Sequence, residues 1–178
     1  MPERTLSSHR AFTGRLLSLR VDEVKLESGR RATREVVEHP GAVAVLAWDG
    51  ERLAAVRQWR QAAGAELLEI PAGTREPGEV ALLTAQRELA EECGLSAERW
   101  VEGPAFYTAP GFSTELLTLY LATDLHRVDV APPEDEALER SWLTLPDALA
   151  AIDDGRIVDA KSLVGILWLA RHLSPERS

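Results

Sequence analysis

Between Gly73 and Leu95 the chain reads GTREPGEVALLTAQRELAEECGL, and this run leaves few choices for the fold. At 100° per residue, Leu82, Leu89 and Cys93 fall together on one side, with Leu83 and Ala90 beside them. Glu91 and Glu92 fall within about 60° of Glu88 on the other side. The spacing predicts a helix from about Pro77 to Cys93, stopped by Gly94, with one face to bury and one face of carboxylates. Carboxylates three and four residues apart are neighbours on a helix. At ~6 Å they repel by roughly 2–3 kcal/mol per pair at an effective dielectric of 20. Two surroundings relieve that repulsion: water, as on most charged helix faces, or a cation. The segment EIPAG, Glu69 to Gly73, puts a tight backbone turn just before the helix, where carbonyls can join the carboxylates. Oxygen ligands of these two kinds are what Mg²⁺ takes, with substrate phosphates and water completing its octahedron.

Bulk charge points the same way. The 178 residues carry 20 basic and 29 acidic side chains, a net charge of −9. That balance argues against a sequence-independent grip on nucleic acid. An anionic ligand would need a bound divalent cation to bring it in. The single cysteine, Cys93, excludes an intrachain disulfide and fits a reducing compartment. The N-terminus MPERTLSSHRAF has no apolar core of signal-peptide length, and the longest apolar run, Gly41 to Trp48, is too short for a bilayer. The expectation is a cytoplasmic protein with no membrane or nucleic-acid partner.

Along the chain, residues 15–37 read as an N-terminal hairpin with a turn at Gly29. GAVAVLAW reads as a buried strand, and the Asp49-Gly50 turn leads into ERLAAVRQWR, expected to pair with it. A short strand ends at Pro71 and Gly73. After the helix, strand character returns and breaks at Pro110-Gly111. RVDVAPPEDEALER is an acidic loop, SWLTL a last short strand, and Pro146 to Ile152 and Lys161 to Leu173 are helices. One helix among strands, with helices at the end, suggests an α+β sandwich with a mixed central sheet.

The acidic helix carries a known signature. Gly73, Glu79, Arg87, Glu88, Leu89, Glu91, Glu92, Gly94 and Leu95 match all nine positions of the Nudix box without a gap. A chance match in a chain this long is on the order of one in ten million or rarer. REVVEHPGAVAVLA, VRQWR, ELLEIPAG, APGFSTE and EDEALE resemble the ADP-ribose pyrophosphatase branch of the Nudix hydrolases over about residues 13–170. Pro110, fifteen residues past Leu95, is a weaker mark of that branch.

The resemblance implies a Nudix-type α/β/α sandwich, with residues 1–38 as a dimerising N-terminal β-hairpin extension and 39–178 as the hydrolase domain. It implies that water attacks one phosphorus of a nucleoside diphosphate linked to another moiety. Glu88, Glu91, Glu92 and the backbone carbonyl of Ala72 would hold Mg²⁺, or Mn²⁺. Gly73, Glu79, Arg87 and Gly94 would be structural, with Arg87 four residues before Glu91 and placed to orient it. Glu134 and Glu136 in the acidic loop are candidates for the general base, with Glu92 or Glu91 as the alternative. Arg34, Glu35, Arg60, Gly111 and Glu115 would contact the substrate. Trp59 either stacks on a base or packs. Cys93 is an inert filler on the core face, and His9, His39, His126 and His172 lack ligand spacing. The leading substrate is ADP-ribose, cleaved to AMP and ribose 5-phosphate. The alternatives are another nucleoside diphosphate sugar such as GDP-mannose, broad specificity, oxidised nucleoside triphosphates, or a nucleotide-sensing domain that does not cleave. Family members of this branch imply a homodimer with exchanged N-terminal strands.

Overall fold

A computed structural model describes residues 3–130 and 138–174 of the chain. The chain forms two compact units, one made of the residues up to Gly41 with Phe106–Leu116, the other of Ala42–Ala105 with the remainder. Among the described residues, no helix is long and apolar enough to cross a membrane.

The first unit is built on an antiparallel sheet of β1 (Arg4–Thr13), β2 (Ser18–Lys25) and β3 (Arg31–Glu38), in that order. The expected hairpin corresponds to β2 and β3, which pair from Ser18↔Glu38 to Lys25↔Arg31. Gly29 makes the turn possible: its φ of 82° lies where a side chain would be strained. Strand β1 was not expected. Its sequence, RTLSSHRAFT, has no apolar alternation because almost all of it is exposed. Its place comes from backbone pairing with β2, interrupted by two register shifts. The 106–116 segment joins this unit through Val37, whose N–H donates to Phe112 O at 2.7 Å and whose carbonyl accepts from Thr114 N at 2.9 Å.

The second unit holds two sheets. In the first, β7 (Ala72–Thr74), β4 (Ala42–Ala47), β9 (Leu116–Arg127) and β8 (Leu95–Tyr107) are ordered β7-β4-β9-β8. Strand β4 runs parallel to β9 and antiparallel to β7, so this sheet is mixed. The second sheet, β10-β5-β6, comprises β10 (Glu139–Thr144), β5 (Arg52–Arg60) and β6 (Ala65–Glu69), all antiparallel. The expected hairpin of β4 and β5 does not form. Their only ladder contact among the described residues is the single bridge Trp48↔Leu53, and each is a central strand of a different sheet. All of β4 and most of β5 are buried, and each pairs along both edges with other strands. The Asp49-Gly50 turn moves the chain between sheets.

Helices cover both faces of the mixed sheet. Helix α1 (Ala81–Cys93) puts Ala85 and Leu89 against Val43, Val45 and Ala47 of β4 and Tyr120 and Ala122 of β9. Burying a leucine such as Leu89 contributes roughly 1.5–3 kcal/mol. Side chains alternate along a strand, so Leu46 and Leu119 face the other way. There they meet Gly165 of α3 (Ala160–Leu173), where a Cβ would lie 3.2 Å from Leu46 Cδ2 and 2.9 Å from Ile70 Cδ1. Helix α2 (Leu145–Asp153) buries Ala148 and Ala151, and its cap Thr144 accepts from Asp147 N. This is the expected α+β sandwich with a mixed sheet.

The fully buried Ser162 fastens α3 to the strand segment leading into β7. Its Oγ accepts from Ile70 N–H at 2.9 Å. Ser162→Ala leaves that N–H without its partner, and urea denaturation should show a loss of about 1–3 kcal/mol.

Candidate active site

The acidic face of α1 does not point into open water. Glu88 is 9% and Glu92 2% exposed. Glu92 accepts a hydrogen bond from Ala72 N–H at 2.9 Å. Glu88 lies directly over β7: a Cβ built on Gly73 would fall 1.9 Å from its carboxyl carbon. Only a glycine lets the strand and the carboxylate come so close. The helix starts at Ala81 and not at Pro77, because Gly78 takes a left-handed φ of 80° and Val80 stays extended. It stops where expected, at Gly94, with φ 65° and its N–H donated to Ala90 O.

Arg87 sits at the centre of the carboxylates. Its Nη1 donates to Glu88 Oε1 at 2.8 Å and to Glu91 Oε2 at 3.1 Å. Its Nε and Nη2 donate to the two oxygens of Glu79 at 3.3 and 3.2 Å, and Nη2 also reaches Thr74 O. The Arg87 guanidinium and the Glu76 N–H together hold the Glu79 carboxyl down to about 2. The same hydrogen bonds, donated to Glu79, raise Arg87 further. One guanidinium thus relieves the repulsion among three like charges.

These groups suit a hard divalent cation by donor type, since carboxylate oxygens lie beside the backbone of Ala72. Their present partners are internal. Among the described residues, no three Asp, Glu, His or Cys side chains are gathered as a ready cage. Arg87 holds oxygens of both Glu88 and Glu91, and a cation would take over those oxygens.

Near this face lies a second buried ion cluster that sequence reasoning missed. Glu69 is 1% exposed and accepts from Arg60 through Nε at 3.0 Å and Nη2 at 2.6 Å. Lys161 also donates to it at 2.5 Å and to Asp159 at 2.8 Å. Burial pushes the Glu69 carboxyl up, but Arg60 and Lys161 together hold it below the usual range. Arg60 is raised first by Glu69, with smaller contributions from Glu92 and Asp159. The structure therefore places Arg60 within the electrostatic reach of Glu92. Arg140, also missed, donates to the carbonyls of Glu92 and Glu91. No motif spacing marks Lys161 or Arg140, since both act across the fold on groups distant in sequence.

In the other unit, Arg34, Glu35 and Gly111 line one pocket of about 550 Å³ together with Asp22, Tyr107 and Phe112. Arg34 is paired with Glu3. Glu115 accepts from Thr108 Oγ1 and lies 3.7 Å from His39 Nδ1. Trp59 is not packed away: it is 57% exposed and donates to Gln61 Oε1. Burial pushes the Cys93 thiol up to about 12, which keeps it protonated and inert. Glu134 and Glu136 lie outside the described residues.

Two outcomes check this geometry. Gly73→Ala should displace Glu88 and abolish cation-dependent activity while circular dichroism stays native. Glu79 is depressed from 4.5 to about 2 in the folded state, so its stabilising contribution is complete above pH 4.5 and is lost as pH falls toward 2. Glu79→Gln should therefore be less stable than the parent at pH 6, and the gap should close between pH 4.5 and 2 in acid unfolding.

Comparison with known proteins bears on all of this. The Nudix domain family matches residues 38–163, and the nucleoside diphosphate sugar hydrolase N-terminal domain matches residues 3–37. An ADP-ribose pyrophosphatase of Bacillus subtilis is 39% identical over 95% of this chain and 93% of its own. One of Mycobacterium tuberculosis is 41% identical over 92% and 81%. A methanol dehydrogenase activator of Bacillus methanolicus is 40% identical over 94% and 92%. The crystal structure of an ADP compounds hydrolase shares the fold with a TM-score of 0.87, covering 97% of this chain and 95% of that one at 20% identity. With all nine signature positions present in and around α1 and the Nudix domain matched over residues 38–163, the chain belongs to the Nudix hydrolase family.

Proposed function

We propose that the protein hydrolyses the diphosphate of ADP-ribose to AMP and ribose 5-phosphate. The observation that carries this reading is the seating of Glu88 and Glu92 against β7, with Glu91 held by Arg87, in a chain whose relatives at 39% and 41% identity are ADP-ribose pyrophosphatases. Glu88, Glu91 and Glu92 with the Ala72 carbonyl hold the divalent cation, Mg²⁺ by preference, with Mn²⁺ as a substitute. When bound, the cation neutralises the diphosphate, polarises its oxygens and lowers the pKa of the attacking water.

The chain's own residues do the rest. Arg87 and Gly73 set the carboxylates in place. Arg60, held by Glu69, offers a fixed guanidinium to the diphosphate, for which a bidentate, always-charged group is well suited. A carboxylate accepts the proton of the water as its oxygen attacks one phosphorus, and the bridging oxygen leaves on the other. Glu134 or Glu136 is the base we favour, with Glu92 or Glu91 as the alternative. Arg34, Glu35, Gly111 and Glu115 hold the nucleoside and ribose parts. The working form is a cytoplasmic homodimer associated through the N-terminal strands, with no nucleic-acid partner.

The test is a substrate panel with product identification: ADP-ribose, GDP-mannose, NADH, a diadenosine polyphosphate and an oxidised dGTP, each with Mg²⁺ and with Mn²⁺. ADP-ribose should lead, yielding AMP and ribose 5-phosphate. A lead by another substrate keeps the cleavage chemistry and removes the pocket assignments. Glu92→Gln should lower turnover of every substrate by more than about 100-fold. Unchanged turnover would remove the cation site.

A further inference from the structure

Helix α1 ends where its acidic face is densest, and its own sequence does not secure that end. Its last turn carries no basic residue. The last four carbonyls of a helix have no partner inside it. Gly94 N–H closes on the carbonyls of Ala90 and Leu89. The carbonyls of Glu91 and Glu92 are met by one residue from a distant strand. Arg140 of β10 donates from Nε to Glu92 O at 2.6 Å and from Nη2 to Glu91 O at 3.2 Å. It approaches so closely that a Cβ on Gly94 would lie 3.1 Å from its Nη1. Arg140 is itself placed by the sheet, opposite Val56 of β5.

We propose that Arg140 is a positioning residue for the acidic face. By holding the two carbonyls it keeps the last turn of α1 helical and fixes its rotation. The carboxylates that depend on that rotation belong to the same two residues, Glu91 and Glu92. Glu88, one turn earlier, is already seated against Gly73. A loosened last turn would carry Glu91 and Glu92 away from Glu88 and spoil the set as a cation ligand. This inference rests on the cation reading given above.

Charge and position predict opposite signs here. A guanidinium near carboxylates repels an incoming cation. If Arg140 acted only as a charge, its removal would tighten cation binding. As a positioning residue, its removal weakens binding.

The experiment is Mn²⁺ binding to the metal-free full chain, followed by electron paramagnetic resonance, with thermal melts and circular dichroism on each variant. Arg140→Ala should weaken Mn²⁺ binding by about 10-fold, and Arg140→Lys should recover part of the loss. Should Arg140→Ala fail to fold, Arg140→Gln carries the same readout. Unchanged or tighter binding by a folded variant overturns the proposal. Absence of Mn²⁺ binding by the parent protein overturns the cation reading and this proposal with it. Binding by the parent that is lost in Glu92→Gln but untouched by Arg140 substitution overturns this proposal alone.

Discussion

Packing the α1 carboxylates against β7 is the constraint around which the second unit is organised. Burying a carboxylate is costly unless its oxygens find donors, and Glu88 and Glu92 are both buried. Each neighbouring element contributes to meeting that cost. Strand β7 supplies the Ala72 N–H to Glu92 and the bare Gly73 backbone to Glu88. The helix supplies Arg87 from within its own sequence. Beside Glu88 and Glu92 on the same buried face, Leu89 and Ala85 fill the core against β4. The apolar contact and the acidic contact together hold one face of the helix.

A similar logic governs Glu69. It is nearly inaccessible, and its charge is compensated by Arg60 from β5 and Lys161 from α3. Removing either cation would leave a buried charge poorly paired, which is far more disruptive than losing a surface ion pair. Ser162, next to Lys161, holds the Ile70 N–H. Glu69 and Ile70 are therefore pinned just before Pro71 and Ala72, so the turn that presents Ala72 is fixed at its start as well as by Glu92.

Local patterns made much of this legible. The 3.6-residue period around Leu82, Leu89 and Glu88 identified the helix and Gly94 marked its end, but Leu83, expected beside the core face, is exposed, and Glu88 and Glu92 are buried along with Leu89. The spacing of Arg87 and Glu91 placed them in contact, as observed at 3.1 Å. Where the sequence misled, the deciding forces were non-local. Strand β1 has no apolar pattern because its place comes from backbone pairing. Strands β4 and β5 look like hairpin partners around Asp49-Gly50, yet burial on both faces sends each to a different sheet. Arg140 and Lys161 carry no spacing signal for these roles, since the Glu91 and Glu92 carbonyls and the Glu69 carboxylate they reach lie 48 or more residues away.

The division of the chain into two units has a consequence for how such a protein diversifies. The acidic cluster lies wholly in one unit, while Arg34, Glu35 and Gly111 share a pocket in the other. That first unit is stitched from two stretches separated by more than sixty residues, joined through Val37 and the 112–114 segment. Under the proposed function, substitutions there would retune which molecule is accepted without touching the buried charges of the acidic cluster. On that reading, lineages of this fold would exchange clients while inheriting one reaction, and relatives of nearly equal identity do carry different names.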